Sequence, residues 1–449
     1  MSKKGGVAGI AAAVLVIALV SLPASADGRV QGYGLFWEGD IRGYGGFACW
    51  AGDVNGDGVN ELIVQAIPGE QEGGPPIPAD LAVYRRFTEI YRGTLEAGDP
   101  VAAAVDFDGD GRLELVTRGG KVLAWSDDQE TLLVDTARRE ALDRWLQDNF
   151  LPEMTWDVML LDFDGDGTVD RVQQVEQTLV LESKTRGQIV LDLSEVRGSY
   201  LGGVSAVDLG GQYPALFTQG YDFRTPGSTR LLWSLWLRGP GDTYVRAEGV
   251  PDPASLTVAN RRFPVAAFID IDSNGVDELV TNSGGVILAY QWTEAGFVEL
   301  WRSPDNGGLG YPSFVGADMN GNGIPELVAQ HTSPTVYQQN LKIYEWRSGS
   351  MEGIADVFNI GPYEGPTPFV ADLLGLGTEQ VIIGRDFESA RPNALGLNID
   401  LANLPPPVFD GDGGTSLLVK AGGAALVAVA VLGVVLAVAR GRGGRSRRV

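Results

Sequence analysis

Histidine and cysteine occur once each in this 449-residue chain, as His331 and Cys49. One cysteine cannot close an internal disulfide, so rigidity has to come from packing or from a bound group. One histidine excludes a multi-histidine metal cluster and weighs against chemistry that needs an imidazole base. Also missing are a Gly-x-Ser-x-Gly elbow, a His-Glu-x-x-His pair, a phosphate loop and a dinucleotide fingerprint. Basic residues are scarce between the ends of the chain. All 58 acidic residues lie from Asp27 to Asp412, while Lys3, Lys4, Lys420, Arg440, Arg442, Arg445, Arg447 and Arg448 lie outside that stretch. The middle is therefore more acidic than the net charge of −24 suggests. Such a surface repels nucleic acid and anionic lipid and attracts cations. Solubility in a salty exterior is the plainer use of the same excess.

The two ends read as address labels. Lys3 and Lys4 precede an apolar stretch from Val7 to Val20, and Ala24-Ser25-Ala26 offers the small residues of a cleavage site, so residues 1–26 are expected to be a signal peptide. An uncleaved N-terminal anchor is the alternative. Near the other end, Ala421 to Ala439 carries no charge, and with the residues just before it the run is long enough to cross ~30 Å of hydrocarbon. Five arginines follow at once. The expected layout is a linker at 404–416, a transmembrane helix at 417–439 and a basic cytoplasmic tail at 440–449, with the rest of the chain outside the cytoplasmic membrane. Gly413-Gly414, this helix and the arginines also resemble the three-part sorting signals of some bacterial surface proteins, in which a protease cuts before the helix. Leu404-Pro405-Pro406-Pro407 is not a sortase motif and reads as a Pro-rich linker.

Between the ends a motif recurs. It begins at Asp53 (DVNGDGVNEL), Asp106 (DFDGDGRLEL), Asp162 (DFDGDGTVDRV), Asp270 (DIDSNGVDEL) and Asp318 (DMNGNGIPEL), with worn copies at Asp208 and Asp372. Successive starts are 53, 56, 46, 62, 48 and 54 residues apart. Short apolar runs flank each copy, and aromatic-ended runs such as VILAYQW from Val286 follow. Four short strands in about fifty residues is the unit of a propeller blade. The sequence thus predicts an all-β, seven-bladed β-propeller over residues 27–403. The seventh repeat runs into the linker one strand short, whereas Val30 to Trp37 precedes the first repeat with no blade of its own. Pairing these ends would close the ring. Thr136 to Phe150 breaks the strand pattern with apolar residues at helical spacing, predicting an amphipathic helix after the second blade. Packing of Trp145 on the rim and capture of a partner are its two readings.

The motif suits calcium, which takes six to eight oxygen ligands at about 2.3–2.6 Å. Side chains at positions one, three, five and nine, with the carbonyl at seven, can supply them, and glycine at six permits the reversal. The predicted ligands are Asp53, Asn55, Asp57, Glu61 and the Val59 carbonyl in the first loop. The second has Asp106, Asp108, Asp110, Glu114 and the Arg112 carbonyl; the third has Asp162, Asp164, Asp166, Asp170 and the Thr168 carbonyl. The fifth has Asp270, Asp272, Asn274, Glu278 and the Val276 carbonyl. The sixth has Asp318, Asn320, Asn322, Glu326 and the Ile324 carbonyl, and with two carboxylates it should be the weakest. Gln212 and Leu216 in the fourth loop, and Leu374 and Leu376 in the seventh, should exclude metal. The competing reading is that these are ordinary Asp-Gly turns, in which Asx side chains cap the backbone.

These loops and their spacing resemble the FG-GAP repeats of integrin α-subunit propellers and the related VCBS-type repeats of microbial surface proteins, over roughly residues 30–400. The resemblance implies that each loop joins the first two strands of a blade and that about five structural calcium ions stiffen one rim. The Phe-Gly and Gly-Ala-Pro signatures of that family are poorly kept, which weakens any carry-over of integrin-type ligand binding, while the calcium assignment stands on the residues themselves. The expected function is a membrane-anchored extracellular propeller that binds a protein or glycan at the cell surface. A polysaccharide lyase and a passive envelope scaffold are the alternatives.

Overall fold

A computed structural model describes residues 31–407 apart from 42–46, 67–76, 150–158, 162, 165–169, 176–177, 184–185, 194–198, 223–229, 240–242, 260–263, 333–338, 358–367 and 386–390. The predicted signal peptide, most of the linker, the transmembrane helix and the basic tail fall outside these residues, and no helix within them is long and apolar enough to cross a membrane.

The chain forms seven four-stranded antiparallel sheets. Six of these blades use strands consecutive in sequence, spanning 47–95, 101–134, 159–192, 199–246, 266–302 and 310–357 (blades 1 to 6). Blade 7 takes Phe369–Ala371, Gln380–Arg385 and Arg391–Leu397, and its fourth strand is Tyr33–Glu38 from the other end of the chain. Tyr33 pairs with Leu397 and Leu35 with Leu395, and the register slips by one residue before Trp37. The Gly32 N–H donates to Asn398 Oδ1 at 2.7 Å. The ends close the ring as the repeat arithmetic requires.

Each blade is a sheet with two buried faces, which is why its inner strands read as unbroken apolar runs. In strand Glu61–Ala66 every residue is buried. Leu62 and Val64 point towards blade 7, packing with Phe369, Ile382 and Ala394, while Ile63 points towards blade 2, packing with Leu115 and Leu123. Strand Glu326–Thr332 divides in the same way. Leu327 and Ala329 join Ile269 and Val280 of blade 5, and Val328 joins Val381 and Ile383 of blade 7. The period of two in a strand thus serves two neighbours rather than core and solvent.

The helix is present as Arg138–Asn149. Leu142 is fully buried in a cluster with Val105, Phe107, Val116 and Val122, and Trp145 packs against the same cluster. The helix therefore covers the face of blade 2 opposite Leu115 and Leu123, in line with the rim-packing reading of Trp145. A second, four-residue helix, Pro253–Leu256, lies against the third strand of blade 4 and was not legible in advance. The outer strand of that blade, Tyr244–Arg246, has only three residues, so the helix takes over part of its edge.

Candidate metal centres

All the repeated motifs lie between the first and second strands of their blades. In blades 1, 2, 5, 6 and 7 their backbone follows one frame. In blade 1 the Asp53 carboxylate accepts the N–H groups of Gly56 at 2.6 Å, Asp57 at 3.1 Å and Gly58 at 2.7 Å, while Glu61 accepts that of Val54 at 2.8 Å. Blades 2, 5 and 6 repeat the pattern with Asp106, Asp270 and Asp318. Gly56 and Gly58 have φ of 79° and 81°, so a side chain at either would strain the turn.

Blade 7 separates the turn from the metal. There Asp372 accepts from Leu376 at 3.1 Å and Gly377 at 2.8 Å, and the Leu373 N–H donates to Gln380 at 2.7 Å. An amide thus satisfies the frame as well as a carboxylate does, while Leu374 and Leu376 fill the ligand positions with apolar bulk. The acid at position nine elsewhere needs a further reason.

That reason is sharpest in blade 5. Glu278 is fully buried; its Oε2 accepts from Ile271 at 3.1 Å, and its Oε1 has no hydrogen-bond partner. Oxygens of Asp270, Asp272 and Glu278 lie within 4.8 Å of one another. Burial, with the charges of Asp272 and Asp270 next, pushes the Glu278 carboxyl up to about 8. A hard, all-oxygen cluster with an orphaned buried carboxylate oxygen is what a divalent cation requires and what a bare turn does not. These three residues can hold a metal.

Asp106, Asp108 and Glu114 in blade 2 form a second such triad. Glu114 is buried with its Oε2 unpartnered, and burial raises it to about 8. Here, however, the Arg138 guanidinium reaches Asp108, Asp110 and Glu114. In blade 1, burial lifts Glu61 to about 8, Asn55 donates to it at 3.1 Å, and Arg85 pairs with Asp57. In blade 3, Asp162, Asp166 and Thr168 lie outside the described residues. Asp170 accepts from the Phe163 N–H at 3.2 Å, and buried Asp164 meets Ser183 at 2.9 Å and Arg186 at 3.4 Å. In blade 6 the site is filled by its own amides. Asn320 and Asn322 donate to Glu345 at 3.0 and 2.7 Å, Asn320 also donates to Glu326, and the Tyr33 hydroxyl donates to Glu326 at 2.8 Å. The loop with fewest carboxylates is thus the most internally satisfied. Arg138, Arg186, Glu345 and Tyr33 were not foreseen as neighbours of these sites. Each comes from another strand or element, and nothing in the local motif marks it.

Neighbouring loops are also tied together. At three junctions the residue at position eight donates its N–H to the carbonyl at position one of the preceding loop: Leu113 to Asp53 at 2.8 Å, Asp277 to Asp208 at 2.7 Å and Glu379 to Asp318 at 2.9 Å. In blade 6 that position is Pro325, which has no N–H to give. The side chain of Asn60 reaches Asp372 in the same way at 3.3 Å. Asp277 and Glu379 return the bond, accepting the N–H of Asp208 and of Asp318 at 2.8 Å each. A cation fixing one loop therefore bears directly on the next blade.

Beside the blade 3 loop, whose Asp164 and Phe163 meet Arg186 and Tyr244, a cleft of about 690 Å³ opens between blades 3 and 4, lined by Arg186, Gln188, Asp192, Trp236, Thr243 and Tyr244 among others.

No protein-family model matches the chain, and no curated protein matches it. Among solved structures, the exotype rhamnogalacturonan lyase YesX aligns over 78% of this chain and 72% of its own, at 13% identity and a TM-score of 0.39. A lectin of Agrocybe aegerita that recognises non-reducing terminal N-acetylglucosamine aligns over 69% of this chain and 79% of its own, at 10% identity and a TM-score of 0.40. The Tc holotoxin pore of Photorhabdus luminescens aligns over 80% of this chain but 14% of its own, at 16% identity and a TM-score of 0.34. Likeness at these levels transfers no substrate or partner to the present chain.

Proposed function

We propose that this protein is a calcium-binding propeller of the FG-GAP/VCBS kind, displayed outside the cytoplasmic membrane on its C-terminal helix, and that it works as a binding platform. The observation that carries the metal reading is Glu278, buried beside Asp270 and Asp272 with one oxygen unpartnered. Calcium suits the site better than magnesium, because a loop of carboxylates and carbonyls can supply many oxygens but not a strict octahedron with several waters. The role of the ion is structural: the loop encloses it, and the position-eight bonds pass its rigidity to the next blade.

A glycan is the favoured ligand. The cleft between blades 3 and 4 combines an arginine, an acid, an amide, a hydroxyl and the Tyr244 ring, a set suited to sugar hydroxyls and ring faces. Full-length protein in detergent, screened on a glycan array with calcium and with chelator, tests this. Binding that Tyr244→Ala and Gln188→Ala abolish supports the platform. No binding to any glycan removes it, and release of ultraviolet-absorbing unsaturated sugar ends would instead make the protein a polysaccharide lyase.

A further inference from the structure

The acidic loops of blades 2 and 5 have almost the same ligand set, and they differ in what faces it. Among the described residues no basic side chain contacts Asp270, Asp272, Asn274 or Glu278. In blade 2 the first residue of the inserted helix, Arg138, turns its guanidinium into the loop. Its Nη1 is 3.1 Å from Asp108 and also bonds Glu114, and its Nη2 is 2.9 Å from Asp110. These are three of the four side chains that calcium would need.

The seat of Arg138 is held from both sides. Asp135 caps the helix start, accepting the N–H groups of Ala137 at 2.9 Å and Arg138 at 3.2 Å. One turn later Leu142 is fully buried against blade 2, so the helix start cannot slide away without exposing it. A guanidinium is a planar fork that matches carboxylates and does not lose its charge. A divalent ion among the same oxygens would be repelled by the guanidinium beside it unless the side chain left.

We propose that Arg138 is the resident cation of the blade 2 loop. Divalent metal binds there at least tenfold more weakly than at the blade 5 loop, and the helix insertion exempts blade 2 from the metal dependence of the rim. This rests on the loops being metal sites at all.

The test uses full-length protein in detergent, stripped with chelator and dialysed, then titrated with calcium by calorimetry and checked for bound calcium by elemental analysis. Arg138→Gln should gain one ion, or tighten one site tenfold or more, and Arg138→Lys should do neither. Arg138→Met keeps the aliphatic stem and serves if glutamine disturbs the helix start. Glu278→Gln should lose one ion whatever stands at 138. If Arg138→Gln and Arg138→Met bind as wild type does while Glu278→Gln loses an ion, the role of Arg138 is overturned and the metal reading stands. If wild type binds no calcium, both fall together.

Discussion

Glu278 and Gln380 occupy the same place in two loops, and both accept the N–H of the residue at position two. The glutamine does so without charge. Glu278→Gln is therefore expected to leave the chelated protein as stable as wild type or slightly more so. In calcium it should forfeit about 2.7 kcal/mol at a hundredfold excess over Kd, read as a fall in melting temperature. Glu61, Glu114 and Glu278 also make the metal-free protein sensitive to pH. An unfolded glutamate titrates near its ordinary value, whereas in the folded state burial holds these three up to about 8. Between those limits the folded state retains protons that the unfolded state has released, so stability without metal should fall as pH rises through that window. Calcium takes the ionised form of Glu61 and Glu278, and its presence should reduce the slope by their share and leave that of Glu114; melting curves across pH in calcium and in chelator would show it. The ligand types at 53–61, 106–114 and 270–278 could be read from the sequence because one loop supplies them all. The guanidinium of Arg138 could not, since its place depends on how a helix three strands further along the chain lies on blade 2.

At the scale of single elements, the strand Tyr33–Glu38 and the helix Arg138–Asn149 make separate claims. Phe36 is buried in the cluster joining blades 7 and 1, where it meets Phe87 edge-on at 4.9 Å between ring centres. Phe36→Ala should cost about 3–5 kcal/mol by chemical denaturation. A wild-type result would mean that the closing strand carries little of the ring's stability. Leu142→Ala should cost about 2–5 kcal/mol and move the fluorescence of nearby Trp145 towards that of an exposed indole. The helix was legible from its spacing, and the missing fourth strand of blade 7 from counting strands. The helix Pro253–Leu256 was not, because four residues hold too little periodicity to announce one. Its local marks are Asp252, which accepts the N–H of Ala254 at 3.0 Å, and Pro253 at the first helical position.

At the scale of the whole molecule, position-eight backbone groups among the described residues link blades 1 and 2, 4 and 5, and 6 and 7, and the Asn60 side chain links blade 1 to blade 7. Backbone donors leave no trace in side-chain patterns, so this coupling was invisible in the repeat, although Asp277 and Glu379 stood at the right place. Its consequence is that metal should stabilise the ring as a unit. Adding calcium to chelated full-length protein should raise the melting temperature in a single transition, and calorimetry showing blades melting separately would contradict the coupling.

The clasp between Gly32 and Asn398 spans 366 positions of sequence. Among the described strands the earliest in sequence is thus the one whose partner is made last, and the long loop it must close makes that step slow. A chain interrupted anywhere before Arg391 has no strand for Tyr33–Glu38 to join, and its blade edges stay open to other chains. Ring closure is therefore a record, written into the fold, that translation has passed Leu397.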